Sequence, residues 1–295
     1  MVAESTLTRP LTGVAAGVPY LAVPPPDQNS PAPVVVAWHA FEPPRSEAAL
    51  AGTLPLSGLN AWRFYLGLPL FGSRLPAGGV AEINRLGHTD YLNLLFGPVV
   101  EQAAAELAYA LHELREWFPV HDGPIGVLGA GAGGTVALLA ALESQAPIGA
   151  VGVVNPIIEP TPVLEARRQR LGVDYSWTPR AREVAARLDF TRRAEEFTQP
   201  SPLLLVTGGQ DEVIVPQRGQ SLHEQLAPHF APGTLRHLTI PELAHTMGPE
   251  PGLDPGPATP ATVLTDRALV EWLHLHLASG AATTHTLHRP VGQQQ

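Results

Sequence analysis

The chain has 295 residues, 44% of them hydrophobic and 15% charged, with 32 prolines, 28 glycines and a formal net charge of −9. That length suits one α/β domain with a central sheet and two helical layers, and the acidic balance, with no basic cluster beyond Arg167, Arg168 and Arg170, excludes a nucleic-acid partner. The absence of cysteine excludes a thiol nucleophile, a disulfide framework and a thiolate metal site.

Residues Met1 to Pro10 lack the basic and apolar regions of a secretory leader, and no run of about 18 apolar residues occurs. The expectation is a soluble cytoplasmic protein with no membrane partner. Val14 to Val23 alternates around Gly17 and ends in Pro24-Pro25-Pro26, the pattern of an edge hairpin. Val34 to Trp38 is continuously apolar, as in a parallel strand covered on both faces. From Gln102 to Phe118, Leu107, Leu111, Leu114 and Phe118 form the stripe of a helix packed on a sheet. Further apolar strands are predicted at Ile125 to Leu128, Ile148 to Val154 and Leu203 to Thr207, with a helix over Thr135 to Leu142 between the first two. A late strand at Leu235 to Ile240 precedes a final helix near Ala268 to Leu277. This alternation predicts a doubly wound, mostly parallel sheet.

The segment Asn155 to Gln199 breaks the rhythm, with helical stretches at Val163 to Leu171 and Pro179 to Leu188. The predicted organisation is a single domain over 1–295, a small helical cap inserted at 155–200, and a mobile tail at 280–295.

The most informative segment is Gly126 to Thr135, where a buried strand ends in Gly129-Ala130-Gly131-Ala132-Gly133-Gly134 and passes at once into an apolar helix. Locally these glycines also match the start of a dinucleotide-binding loop. That fingerprint normally lies in the first βαβ unit, with an acid about 20 residues on. Here the glycines follow more than 120 residues, and the next strand ends in Asn155-Pro156 with no acid before Glu159.

The turn resembles the nucleophile elbow of the α/β-hydrolases, particularly dienelactone hydrolase-like and prolyl-oligopeptidase-like esterases. Their Gly-x-Ser-x-Gly-Gly falls on Gly129 to Gly134 with Gly131 at the nucleophile position. Two later segments resemble the same family: Leu203 to Pro216, with Asp211 just past a strand, and Ile240 to Met247, containing His245. The order elbow, acid, histidine is that of the fold, with separations of 80 and 34 residues. Upstream, Trp38-His39-Ala40-Phe41 resembles the His-Gly-x turn, with Ala40 in place of the glycine. The resemblance implies backbone N–H groups of Phe41 and Ala132 as an oxyanion hole. His39, grouped with these oxyanion and binding residues, reads as structural, donating to backbone within the turn, and Asp211 coupled to His245 reads as the carboxylate that fixes the imidazole tautomer of a base. Leu68 to Arg74 matches a further Pro-x-x-Gly-x-Arg stretch of these esterases.

Glycine carries no nucleophile, so ordinary acyl-enzyme catalysis is excluded on this chain as it stands. Three readings follow: an enzyme that uses the His245–Asp211 dyad on water or on a substrate proton, as lyases and oxygenases of this fold do; a non-catalytic relative with a ligand pocket; or an engineered Ser-to-Gly change. The expected ligand is a small apolar ester, lactone or ketone, with no cofactor and no metal, since His223, His229 and His237 lack paired ligand spacing. With the rest of the elbow present, a hydroxyl at Gly131 is expected to restore acyl-enzyme formation.

Overall fold

The computed structural model describes residues 9–28 and 30–284. Eight strands form one sheet in the order β1-β2-β4-β3-β5-β6-β7-β8: β1 (Leu11–Ala15), β2 (Val18–Val23), β3 (Val34–Trp38), β4 (Trp62–Leu66), β5 (Ile125–Ala130), β6 (Ile148–Val154), β7 (Leu203–Gln210) and β8 (Leu235–Ala244). The hairpin β1–β2 turns at Ala16 and Gly17, both at positive φ, and β2 pairs antiparallel with β4. From β4 onward every pairing is parallel.

Strand periodicity sorts the apolar side chains between two layers. Val34, Val36 and Trp38 face one core with Ile125, Val127, Val151 and Val153. Against them pack α3 (Gly97–Trp117) and α4 (Ala132–Glu143). The intervening Val35 and Ala37 face the other core, with Leu128 and Val154. That side is closed by α1 (Glu47–Thr53) and α8 (Pro260–Thr284). A sheet covered on both faces is what the uninterrupted apolar strands require.

Several elements extend or add to the sequence reading. The final helix begins at Pro260 rather than near Ala268, and it runs to Thr284, so the start of the expected tail is helical. Residues 285–295 lie outside the described residues. The stretch α2 (Gly79–Asp90), a π-helical turn Tyr91–Phe96, and α3 form one long helical run. By length and composition alone Gly79–Trp117 could cross a bilayer, and 56% of its apolar window is buried inside the fold. Between β6 and β7 lie α5 (Pro160–Leu171) and α6 (Pro179–Arg187), starting close to the predicted helices of the inserted segment. Between β7 and β8 lies α7 (Pro216–Leu226).

Candidate functional site

At the carboxyl end of β5 the chain reverses into α4 through Gly131, whose φ of 50° and ψ of −121° lie where an L side chain is strained. Its N–H donates to the Val154 carbonyl at 2.9 Å, and the Thr135 hydroxyl, buried in the first turn, donates to the Ile157 carbonyl at 2.9 Å. Two residues on, a Cβ at Gly133 would lie 2.2 Å from the Trp38 carbonyl oxygen and 2.5 Å from that of His39. These are backbone atoms and cannot swing aside. Gly133→Ala is therefore expected to destabilise the fold by about 3 kcal/mol or more, read as a lower denaturant midpoint.

The tight seating of the elbow on the turn after β3 also decides what position 131 can hold. A Cβ there would stand 2.9 Å from the Ala40 Cβ and 3.9 Å from Oε2 of Glu42. The methyl of Ala40 thus fills the room that a side chain at 131 needs. This corrects the expectation that a hydroxyl is the main missing piece, because steric room is missing as well.

Asp211 and His245 come together at the carboxyl ends of β7 and β8. One Asp211 oxygen accepts from the N–H groups of Val213 and Ile214 at 2.8 and 2.7 Å, and the other accepts from His245 Nδ1 at 2.9 Å. The carboxylate therefore fixes the imidazole with its proton on Nδ1 and Nε2 pointing the other way. Asn155, in left-handed backbone at the end of β6, braces this corner. Its Oδ1 accepts from Gly208 N–H and its Nδ2 donates to the Ala244 carbonyl, both at 2.7 Å.

Nε2 of His245 faces a second carboxylate that sequence reasoning did not single out. Glu42 Oε2 lies 3.7 Å from it. The Glu42 side chain is 42% exposed as a whole, but its Oε2 is shut off from solvent and accepts no hydrogen bond. Burial by itself would lower the basicity of His245, yet Asp211 on one nitrogen and Glu42 facing the other push its pKa up to about 10. Burial works to raise the Glu42 pKa, but the His245 imidazolium and Arg45 hold it below the ordinary carboxylate value. Both carboxylates thus favour the protonated form of His245.

A histidine raised from 6.5 to about 10 on folding contributes stability that is complete below 6.5 and is lost as pH rises towards about 10. Denaturation of the unaltered chain is expected to show that loss across this interval, and His245→Gln is expected to remove its contribution. Parallel slopes for the two proteins would refute the linkage.

His39 is fully buried, with Nδ1–H donating to the Ala40 carbonyl at 2.8 Å and Nε2 accepting from Leu68 N–H at 3.3 Å. Burial lowers its pKa against the pull of Ala40 and Glu47, so a neutral ring spans the turn. Both nitrogens are occupied, which makes it a strut of the turn. Phe41 stacks on Phe71 with ring centroids 4.2 Å apart. The N–H groups of Phe41 and Ala132 enter no turn or side-chain hydrogen bond among the described residues. Arg74 of the esterase-like stretch pairs with both oxygens of Glu106 at 2.7 and 2.9 Å, an architectural contact.

A cavity of about 560 Å³ opens beside Phe41 and Glu42, walled by Tyr91 of the π turn and by Val163, Arg167 and Arg170 of α5. It reaches Glu42 but is not lined by His245, Gly131 or Ala132. Among the described residues no cluster of three or more His, Cys, Asp and Glu is set to hold a metal ion.

No family model matches the chain, and no curated protein matches its sequence. Solved structures do match. TT1662 from Thermus thermophilus superposes with a TM-score of 0.67 at 19% identity, over 91% of this chain and 98% of that one. A Mycobacterium tuberculosis puromycin-hydrolyzing peptidase gives 0.65 at 19% identity, and the match takes in 94% of this chain but 42% of the peptidase. Est1E from Butyrivibrio proteoclasticus, solved with ferulic acid, gives 0.59 at 15% identity over 91% and 99% of the two chains. With a doubly wound, mostly parallel eight-stranded sheet that superposes on these structures along most of its length, the chain has the α/β-hydrolase fold.

Proposed function

We propose that this protein is a hydrolase that cleaves a small ester or lactone by direct attack of water, without an acyl-enzyme. The observation that carries this reading is the Asp211–His245 contact of 2.9 Å at the carboxyl ends of adjacent parallel strands, where ligands bind in open α/β sheets. A histidine held this way is costly to retain for packing alone, and it stands behind a cavity of small-molecule size. Gly131 provides no nucleophile, so water is the attacking group. The N–H groups of Phe41 and Ala132 are offered to the developing oxyanion. In the balanced reaction, ester and water become acid and alcohol. The fold and its buried helices suit action in an aqueous compartment, the cytoplasm by our reading.

The cavity walls favour a substrate with an apolar body, which Phe41 and Val163 would take, and they leave the guanidinium group of Arg170 for a polar end. Incubation of the intact protein with neutral and carboxylate-bearing esters and lactones, followed by mass spectrometry, tests the reading. Release of acid and alcohol is expected. Tight binding with every ligand unchanged would overturn it in favour of a binding protein, a second reading that has one observation behind it: Glu42 stands between the cavity and His245. The engineered reading has the geometry against it, since Ala40 already fills the space of a side chain at 131.

A further inference from the structure

We infer that Glu42 is the general base of this site, standing where the missing side chain of position 131 would act, and that His245 serves opposite it as the acid. The inference rests on the hydrolase reading above and assigns its proton-transfer groups. Three observations carry it. Glu42 Oε2 lies 3.9 Å from the point a Cβ of residue 131 would occupy and 3.7 Å from His245 Nε2, which places it on the substrate side of the imidazole. That oxygen is buried without a hydrogen-bond partner while the Glu42 side chain as a whole lines the cavity, from which His245 is absent, so a ligand in the cavity meets the Glu42 carboxylate before it meets His245.

The surrounding charges determine who holds the proton. His245 faces Asp211 at Nδ1 and Glu42 at Nε2. Glu42 in turn feels His245 and Arg45, while Arg45 is engaged by both oxygens of Glu250 at 2.6 and 2.7 Å. Arg167 and Tyr91 lie within electrostatic reach of Glu42, Arg167 sitting over the Tyr91 ring at 4.5 Å with its Nη2 donating to the Gly87 carbonyl. An imidazole between two carboxylates keeps its proton, and a protonated imidazole cannot take one from water. The base must be the ionised carboxylate that faces the cavity.

A water held by the Glu42 carboxylate bonds to the acyl carbon and gives that carboxylate a proton, while the carbonyl π pair moves onto oxygen between the N–H groups of Phe41 and Ala132. Collapse of this tetrahedral species breaks the bond to the leaving alkoxide, which takes the proton from Nε2. Transfer of the proton from the Glu42 carboxylate to Nε2 restores both groups. Apo distances of this kind tighten when substrate is bound.

Leaving-group chemistry separates the two roles. p-Nitrophenolate leaves without protonation, whereas the alkoxide of an alkyl ester needs an acid. With p-nitrophenyl butyrate and ethyl butyrate as probes, Glu42→Gln is expected to lower kcat on both by about 10²- to 10⁴-fold with little change in KM. His245→Gln is expected to impair ethyl butyrate far more than the nitrophenyl ester. Formate is expected to restore part of the rate to Glu42→Ala, a chemical rescue that a structural role would not show. Equal or faster turnover by Glu42→Gln would overturn the assignment and make Glu42 a plug, with the enzyme reading intact. Inertness of the unaltered chain towards both probes and the wider ester panel would instead defeat the enzyme reading together with this role.

Discussion

Exchange of His245 for Gln is expected to cost about two to four orders of magnitude in the turnover of alkyl esters, since the site then has no proton for the leaving alkoxide. Asp211→Asn is expected to act in the same direction. It keeps the two backbone hydrogen bonds from Val213 and Ile214 within reach but removes the charge that orients and holds the imidazolium at 2.9 Å. The pH dependence carries the sharper message. Activity should rise as Glu42 ionises, below the ordinary carboxylate range because His245 and Arg45 favour its charged form. It should fall on the alkaline side as His245 loses its proton towards about 10. A dyad working as a neutral base would instead gain activity through the usual histidine range. An acid limb near 6.5 in kcat/KM for the unaltered chain would therefore reverse the roles assigned to the two groups.

Elements whose buried faces are written in a single run were legible in the sequence. β3, β5, β6 and β7 are continuous apolar strands in a sheet covered on both sides, and β6 falls where periodicity places it, Ile148–Val154. β4 was missed because Arg63 interrupts it. That residue is buried at 5% exposure only because its guanidinium donates to the carbonyls of Pro24, Pro55 and Leu56, partners that sequence order does not bring together. Asp211 and His245 could be found because each follows a strand in a recognisable loop. Glu42 could not, since an acid between Phe41 and Pro43 in a proline-rich turn carries no pattern. Its meaning comes from the fold, which carries the turn after β3 across to the histidine loop, where Met247 N–H donates to the Pro43 carbonyl at 2.9 Å. Asn155 was visible as an absent acid, and its bracing of Gly208 and Ala244 appears only in three dimensions.

Gly131→Ser alone is expected to leave the protein without acyl-enzyme chemistry and to lower its stability. The new Cβ would meet the Ala40 Cβ at 2.9 Å, closer than side chains approach, in a backbone conformation with φ at 50° that costs an L residue about 1–3 kcal/mol. A hydroxyl forced into that space would also face an Nε2 of His245 that is protonated opposite Glu42, so the histidine could not act as the base of a nucleophilic triad. Two further changes answer these two obstacles separately. Ala40→Gly removes the methyl group in the way, and Glu42→Gln removes the second carboxylate, so that His245, left with Asp211 alone, returns towards the range of a working base. Covalent labelling by a fluorophosphonate, located by peptide mass spectrometry, is therefore expected to be absent from Gly131→Ser, weak in Ala40→Gly with Gly131→Ser, and strong at position 131 only when Glu42→Gln is added. If the single Gly131→Ser variant were labelled as fast as the triple one and melted with the parent, neither Ala40 nor Glu42 could be what adapts this elbow to glycine.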